Sequence, residues 1–304
     1  MLPARASFLM LGLLAVFPCA AAAAASVFDD DGRRLLLATP AQRIVSLSPH
    51  ATEMLFAAGA GSRVIAADEY SDFPEAAKKL RRIGSAHALD LEAIVALKPD
   101  LVVAWKSGND ARQVARLIEL GIPVFFTEPR APEDIASAIG RLGVLAGTME
   151  TAIAAARRLD DGIARLTAAH RKSALVDVFF EIWSPPVMTI NNRHLIDAIV
   201  RACGGRNVFG ALPALTPTVS VESVVGANPQ VIIASGMGDA RPPFLDDWKA
   251  WPQIAAVKSG HVYYVPADLI ARPGPRIAEG ARLVCDAIDR ARVAAKASPG
   301  NKQP

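Results

Sequence analysis

LEAIVALKPDLVVAW at residues 91–105 returns 130 positions later as VESVVGANPQVIIAS at residues 221–235, with Glu92 and Glu222 in register. In each copy an acidic residue opens an amphipathic helical run, a proline (Pro99, Pro229) follows its end, and an apolar β-branched strand leads away. Proline has no amide donor and biases the residue before it away from helical angles, so Lys98 and Asn228 mark the helix exits. One helix–strand unit used twice predicts two similar lobes.

Working outward from the first copy, strands and helices alternate. IVSLS after Arg43 is a strand, Thr52 to Ala58 a short helix, VIAA at 64–67 a second strand, and 91–97 the repeated helix. The strand LVVAW, a helix from Asp110 to Leu120 and the strand PVFFT follow. Strands separated by helices of this length imply a largely parallel, doubly wound α/β sheet. After Pro132 the chain turns helical through EDIASAIGRLGVLAG and METAIAAARRLDDGIARLTAAHRKS. Ile153, Ala156, Leu159, Ile163 and Leu166 form one stripe at spacings of three and four. The second piece, residues 149–173, would span about 37 Å, enough for a strut between lobes, though an ordinary packed helix has the same pattern.

The second half repeats the alternation. A strand at 175–182, a helix at 195–202 stopped by Gly204 and Gly205, the echo helix from Val221 and the strand VIIAS come first. A helix from Trp248 to Ala256, the strand HVYYV and a closing helix at 277–290 complete it. The expected organisation is a leader at 1–25, an N-terminal α/β lobe at 26–145, a bridging helix at 146–173, a C-terminal α/β lobe at 174–295 and a disordered tail at 296–304.

The N-terminus reads as a secretory signal: Arg5, an apolar stretch from Phe8 to Val16, then alanines from Ala20 to Ala25 before Ser26. The stretch is shorter than the roughly 20 apolar residues of a spanning helix. Export places the mature chain in the periplasm. Cys19 raises the alternative of lipid anchoring, for which Pro18 directly before it is a poor fit. Arg5 is the only charged side chain in the leader, so the formal charge of +3 becomes +2 in the mature chain. That balance excludes a strongly basic nucleic-acid face. Cys203 and Cys285 then remain, a pair that in an oxidising compartment reads as a disulfide, with two separate buried thiols as the other reading.

Enzymatic signatures are missing. The chain has no GxSxG, HExxH or P-loop motif, and GAGS at 59–62 leads into a strand rather than a nucleotide-binding helix. An exported enzyme assembled across loops is the alternative class. His50, His87, His170, His194 and His261 are scattered, with no pair at metal-site spacing. No resident cofactor is expected.

SPHATEMLFAAGAG, YSDFP, LEAIVALKPDLVVAW, CGGRNVF and RPGPRI, in this order, resemble the periplasmic binding proteins of ABC importers for cobalamin, iron siderophores and haem. The resemblance covers Arg43 to Arg290 and implies two α/β lobes, one long joining helix and a ligand cleft between the lobes. A single stiff helix implies small hinge motion. Cobalamin-binding members are the most similar. Tyr70 and Trp105 match aromatic positions of their cleft, and Asp268 and Arg272 match an acid and an arginine facing the ligand's amide rim. A flat macrocycle buries area on aromatic faces, and its amides need partners. Ala86–His87 and Thr216–Pro217 stand where those members carry tryptophans, and Trp183 is placed to restore aromatic surface.

Each candidate has a rival reading. Trp105 and Trp183 read also as core-margin aromatics, Tyr70 as the brace of a turn, and Asp268–Arg272 as a surface ion pair. Pro266, Pro273 and Pro275 favour a loop-borne binding edge for that pair. His50 and His87 read either as cleft residues able to ligate a chelated metal or as polar loop histidines. By resemblance, Glu92 and Glu222 engage the two subunits of a dimeric ABC permease; helix-dipole stabilisation is the rival role. The expected protein is a monomer that captures a corrinoid, with haem or a ferric siderophore as alternatives, and that binds no nucleic acid.

Overall fold

The computed structural model describes residues 24–236 and 240–297, with side chains through Val293 and Ala294 at the C-terminal end. The expected leader, Cys19 and the tail lie outside the described residues, apart from the leader's last positions. Ala25 belongs to a strand, Ala25–Phe28, paired antiparallel with Arg34–Leu37. Sequence patterning did not foresee this hairpin, which moves Ala25 from the expected leader into the fold. Its alternate residues Val27, Leu35 and Leu37 are buried in the same core as Ile135, Ile139 and Leu142 of the helix Pro132–Ala146.

Two parallel sheets carry the fold. The first has the order Arg81–Arg82, Val64–Ala67, Ile44–Ser46, Leu101–Trp105, Val124–Thr127; the second has Gly205–Asn207, Val176–Glu181, Val231–Ala234, Val262–Tyr264. In each, the lobe's first strand lies between its second and third main neighbours, so the order reverses there. Such a reversal leaves a crevice outside the carboxyl ends of the strands.

The repeat extends to side-chain direction. Leu101 and Val103, like Val231 and Ile233, face a core that runs from one lobe to the other. Val102 and Ala104 face a separate core on the outside of the first sheet, and Ile232 and Ala234 face its counterpart on the second. Period-two alternation within each copy imposes this partition. Lys98 and Asn228 close their helices at φ 46° and 45°, the left-handed exits that Pro99 and Pro229 follow.

The joining helix is Met149–His170, 22 residues or about 33 Å. It lies against Pro132–Ala146 in the first lobe and against Ile277–Ala297 and Leu195–Ala202 in the second. Ala152, Ala155 and Leu159 are buried and Ala156, Ile163 and Leu166 pack half-buried against the same core, so of the expected stripe only Ile153, which is exposed, falls off the packed face. Ala152 approaches Gly143 so closely that a Cβ there would stand 2.2 Å away. Small residues let the two helices touch, and Gly147 at φ 65° makes the turn between them.

Other boundaries differ. The first helix begins at Pro49 rather than Thr52, because proline is tolerated in the first turn. Gly204 stops its helix at φ 69°, but Gly205 starts a strand. The expected helix from Trp248 to Ala256 is a 3₁₀ run, Pro243–Ala250, then a break at Trp251–Pro252 and a short helix, Ala255–Lys258. Pro252 has no amide to continue the ladder. The closing helix runs to Ala297. Cys203 and Cys285 are bridged, Cα atoms 4.8 Å apart, closing an 82-residue span. Loop closure of that length is worth about 4.5 kcal/mol in the chain-entropy picture.

Candidate functional site: a cleft between the lobes

The carboxyl end of the first sheet faces loops of the second lobe across a cavity of 310 Å³. Trp105, Ser107, Glu128 and Arg130 line it from the first lobe, and Arg193, Leu215, Ile270 and Pro273 from the second. A second space of 410 Å³ continues from it along the joining helix, sharing Arg130, Arg193 and His194. Glu128 is held by the amide of Ser107 at 3.0 Å and its hydroxyl at 2.9 Å. His194 caps the helix Leu195–Ala202, its Nδ1 accepting from Ile196, and burial lowers its pKa to about 4, so it stays neutral.

Trp105 is half-buried at the end of its strand and lines the cavity. His50 packs perpendicular to it, ring centroids 5.2 Å apart. His50 is 2% exposed and does not line the cavity, and burial, with the nearby Arg272, pushes its pKa down to about 3. It therefore supports Trp105 from within the lobe instead of facing the cleft. His87 is exposed at the tip of a small hairpin, Gly84–Ser85 with Ala88–Leu89.

Asp268 and Arg272 join a network that spans the lobes. Arg276 donates twice to Glu53, Nε to Oε2 at 3.0 Å and NH2 to Oε1 at 2.6 Å. Arg272 reaches Asp72 at 2.6 Å, Asp268 at 2.9 Å and Glu53 at 3.6 Å. Glu53 and Asp72 belong to the first lobe, the arginines to the second. Arg276 also lies 4.2 Å from the centre of the Phe73 ring. Burial raises the Glu53 pKa, although both arginines pull the other way. Asp268 sits on a one-turn helix, Ala267–Ile270, and not in a loop as expected. The prolines left room for one turn.

Tyr70 is 61% exposed in the loop after Val64–Ala67. A buried chain of hydroxyls straps that loop to the first helix: Ser46 to Thr52 at 2.8 Å and Thr52 to Ser71 at 2.7 Å, with Ser71 bonded in turn to Asp68. Trp183 is 38% exposed, its indole N–H donating to the Pro185 carbonyl at 3.0 Å, and it does not line the cavity. Glu128, Arg130 and Arg193 were not singled out from sequence. Glu53, Asp72 and Arg276 lie inside SPHATEMLFAAGAG, YSDFP and RPGPRI, and nothing local in those motifs points to an ion pair between them. Among the described residues no group of three or more His, Cys, Asp or Glu is arranged to hold a metal ion.

A sequence profile described as periplasmic binding protein matches residues 44–269. The chain belongs to that family. It is thus a binding protein rather than an enzyme. It is 33% identical over 255 residues to the vitamin B12-binding protein of Vibrio vulnificus, covering 83% of this chain and 91% of that one. The protein of the same description from Pectobacterium carotovorum is 36% identical over 260 residues, 84% and 92% of the two chains. The crystal structure of the periplasmic vitamin B12 binding protein of Vibrio cholerae superposes with a TM-score of 0.76 at 32% identity, covering 83% of this chain and 98% of that one. A periplasmic haem-binding protein from Roseiflexus shares the fold, with a TM-score of 0.73 at 23% identity over 83% and 99%.

The two copies of the repeat place their glutamates alike. Glu92 and Glu222 each occupy the second position of a short helix, Leu91–Ala96 and Val221–Ala227, and both are exposed. The caps are other residues: Asp90 accepts from Ala93 and Ser220 from Ser223. Both glutamates lie in the first helical turn, where the helix dipole favours an acid, and Glu222 also takes hydrogen bonds from its own backbone and from Ser220 that lower its pKa. No helix among the described residues is long and apolar enough to cross a membrane.

Proposed function

We propose that this protein captures a cobalamin-type corrinoid in the interlobe cleft, in the periplasm, and delivers it to a dimeric ABC permease. The observation that carries the reading is the cavity with Trp105 at its wall, in a chain matched over most of its length by vitamin B12-binding proteins. Trp105 offers the face for a macrocycle. Glu128, Asp268, Arg272 and the backbone ends of the strands offer acceptors and donors for peripheral amides, which are costly to leave unpaired. A corrinoid is bulkier than the enclosed space, so it is gripped at its face and rim, with Tyr70, His87 and Trp183 on the exposed loops around it. In this reading the leader ends before Ala25, the mature protein is monomeric, and Glu92 and Glu222 each meet one permease subunit.

Haem is the second reading. Arg130 and Arg193 line the cavity, the Arg193 guanidinium donating to the Pro213 carbonyl, a cationic setting that suits an anionic macrocycle. Protein expressed with its own leader and purified from the periplasm should bind cyanocobalamin saturably in calorimetric titration, and haemin and a ferric hydroxamate weakly or not at all. Tight binding of haemin alone would overturn the corrinoid reading.

A further inference from the structure

Trp105 is held from three sides, and one of them is a glycine. A Cβ built on Gly108 would stand 1.9 Å from Cε3, 2.2 Å from Cδ2 and 2.3 Å from Cζ3 of the indole. Cδ2 lies near the root of the ring system, so a small tilt does not relieve the clash. Gly108 is not among the residues with positive φ. Its backbone would accept any side chain, and the demand for glycine comes from the tryptophan alone.

Asn109, 6% exposed, is the second hold. Its Oδ1 accepts from the Trp105 amide at 2.6 Å, and its own amide N–H returns to the Trp105 carbonyl at 3.0 Å. Its Nδ2 donates to the carbonyls of Leu47 at 2.9 Å and Ala86 at 3.2 Å. One buried carboxamide thus ties together the exit of the central strand, the hairpin that carries His87, and the Trp105 loop. The perpendicular His50 ring is the third hold. Its neighbours within reach of charge are Arg272 across the cleft and the packed core beneath, and it stays uncharged.

We infer that Gly108 and Asn109 are positioning residues for ligand binding, which lock Trp105 as a fixed plate at the cavity wall for the flat face of a macrocycle. The inference rests on the macrocycle reading of the cleft. A plate already fixed loses no rotamer freedom when the ligand arrives, whereas a swinging indole must be ordered at that moment. Polar side chains around the cavity then act on the ligand's rim and not on its stacking.

Gly108→Ala is the test, with Gly140→Ala as control, since a Cβ at Gly140 meets nothing within 4 Å. Both are made in protein labelled with 5-fluorotryptophan, the Trp105 signal being assigned with Trp105→Phe. Expected for Gly108→Ala are a shifted or broadened Trp105 fluorine resonance and cyanocobalamin binding weaker by about tenfold or more. Gly140→Ala should leave both as in the wild type. An unmoved resonance, or a moved one with wild-type affinity, overturns the inference while the corrinoid reading stands. A wild-type protein that binds no macrocycle removes that reading and this inference with it.

Discussion

Replacing Arg276 by methionine would remove one partner of the ion pair that joins the lobes and strand the other. Glu53 has a side chain 1% exposed and takes two hydrogen bonds from Arg276, itself 15% exposed. Breaking a buried pair by removing one member costs about 3–5 kcal/mol. Arg272, 3.6 Å away, remains to compensate part of the charge. We therefore expect Arg276→Met to lower stability by about 2–4 kcal/mol at pH 8. Without Arg276 the Glu53 pKa rises further above its already raised value, so the stranded carboxyl takes up a proton as pH falls. The cost should shrink accordingly in urea unfolding at pH 5.5. Adding Glu53→Met removes the buried charge, and the double variant should recover to within about 1 kcal/mol of wild type, with a coupling energy above about 1.5 kcal/mol. A loss below about 1 kcal/mol at pH 8 and no measurable coupling would refute the argument, since the pair would then behave as a solvent-screened surface bridge.

Two other outcomes follow from the same structure. Glu181, 1% exposed and bonded to the Trp248 indole at 2.8 Å, has its pKa raised by burial to about 7. The unfolded chain releases this proton near pH 4.5 and the folded one near 7, so stability is lost as pH rises through that window. Glu181→Gln keeps an acceptor for Trp248 and should flatten this part of the pH–stability curve, gaining on the order of 3 kcal/mol above pH 7; parallel curves from urea titrations would contradict it. Charge reversal of both Glu92 and Glu222 to Arg should abolish corrinoid uptake while leaving ligand affinity intact, measured as transport in reconstituted vesicles beside calorimetry. Reduced affinity in that double variant would count against a docking role.

The repeat was readable because it is local. Helix exits at Lys98 and Asn228, strand alternation after Pro99 and Pro229, and the exposed second helical positions of Glu92 and Glu222 all follow from residues within one turn or one strand. Trp105 was readable as a cleft residue only through the family resemblance of LVVAW, and the fold sets it at the cavity wall. His50 was not: whether a histidine near a switch point faces a ligand or a neighbouring indole depends on packing between strands 57 positions apart in sequence. The N-terminal hairpin escaped notice because its four-residue strands abut the alanine-rich leader. Pro252 sat inside an expected helix and broke it, a local signal outweighed by the apolar spacing around it.

The sequence alone determined the two similar α/β lobes and the long helix between them. Those features rest on periodicity, proline placement and composition, which need no distant partner. Tertiary structure decided which side chains meet. It brought Glu53 and Asp72 to Arg272 and Arg276 across 200 residues of chain or more, and placed Arg130 opposite Arg193. It also turned Gly108 from a loop glycine into the seat of an indole. Charges and rings act through distance, and distance between lobes is set only when both sheets have packed against the same helix.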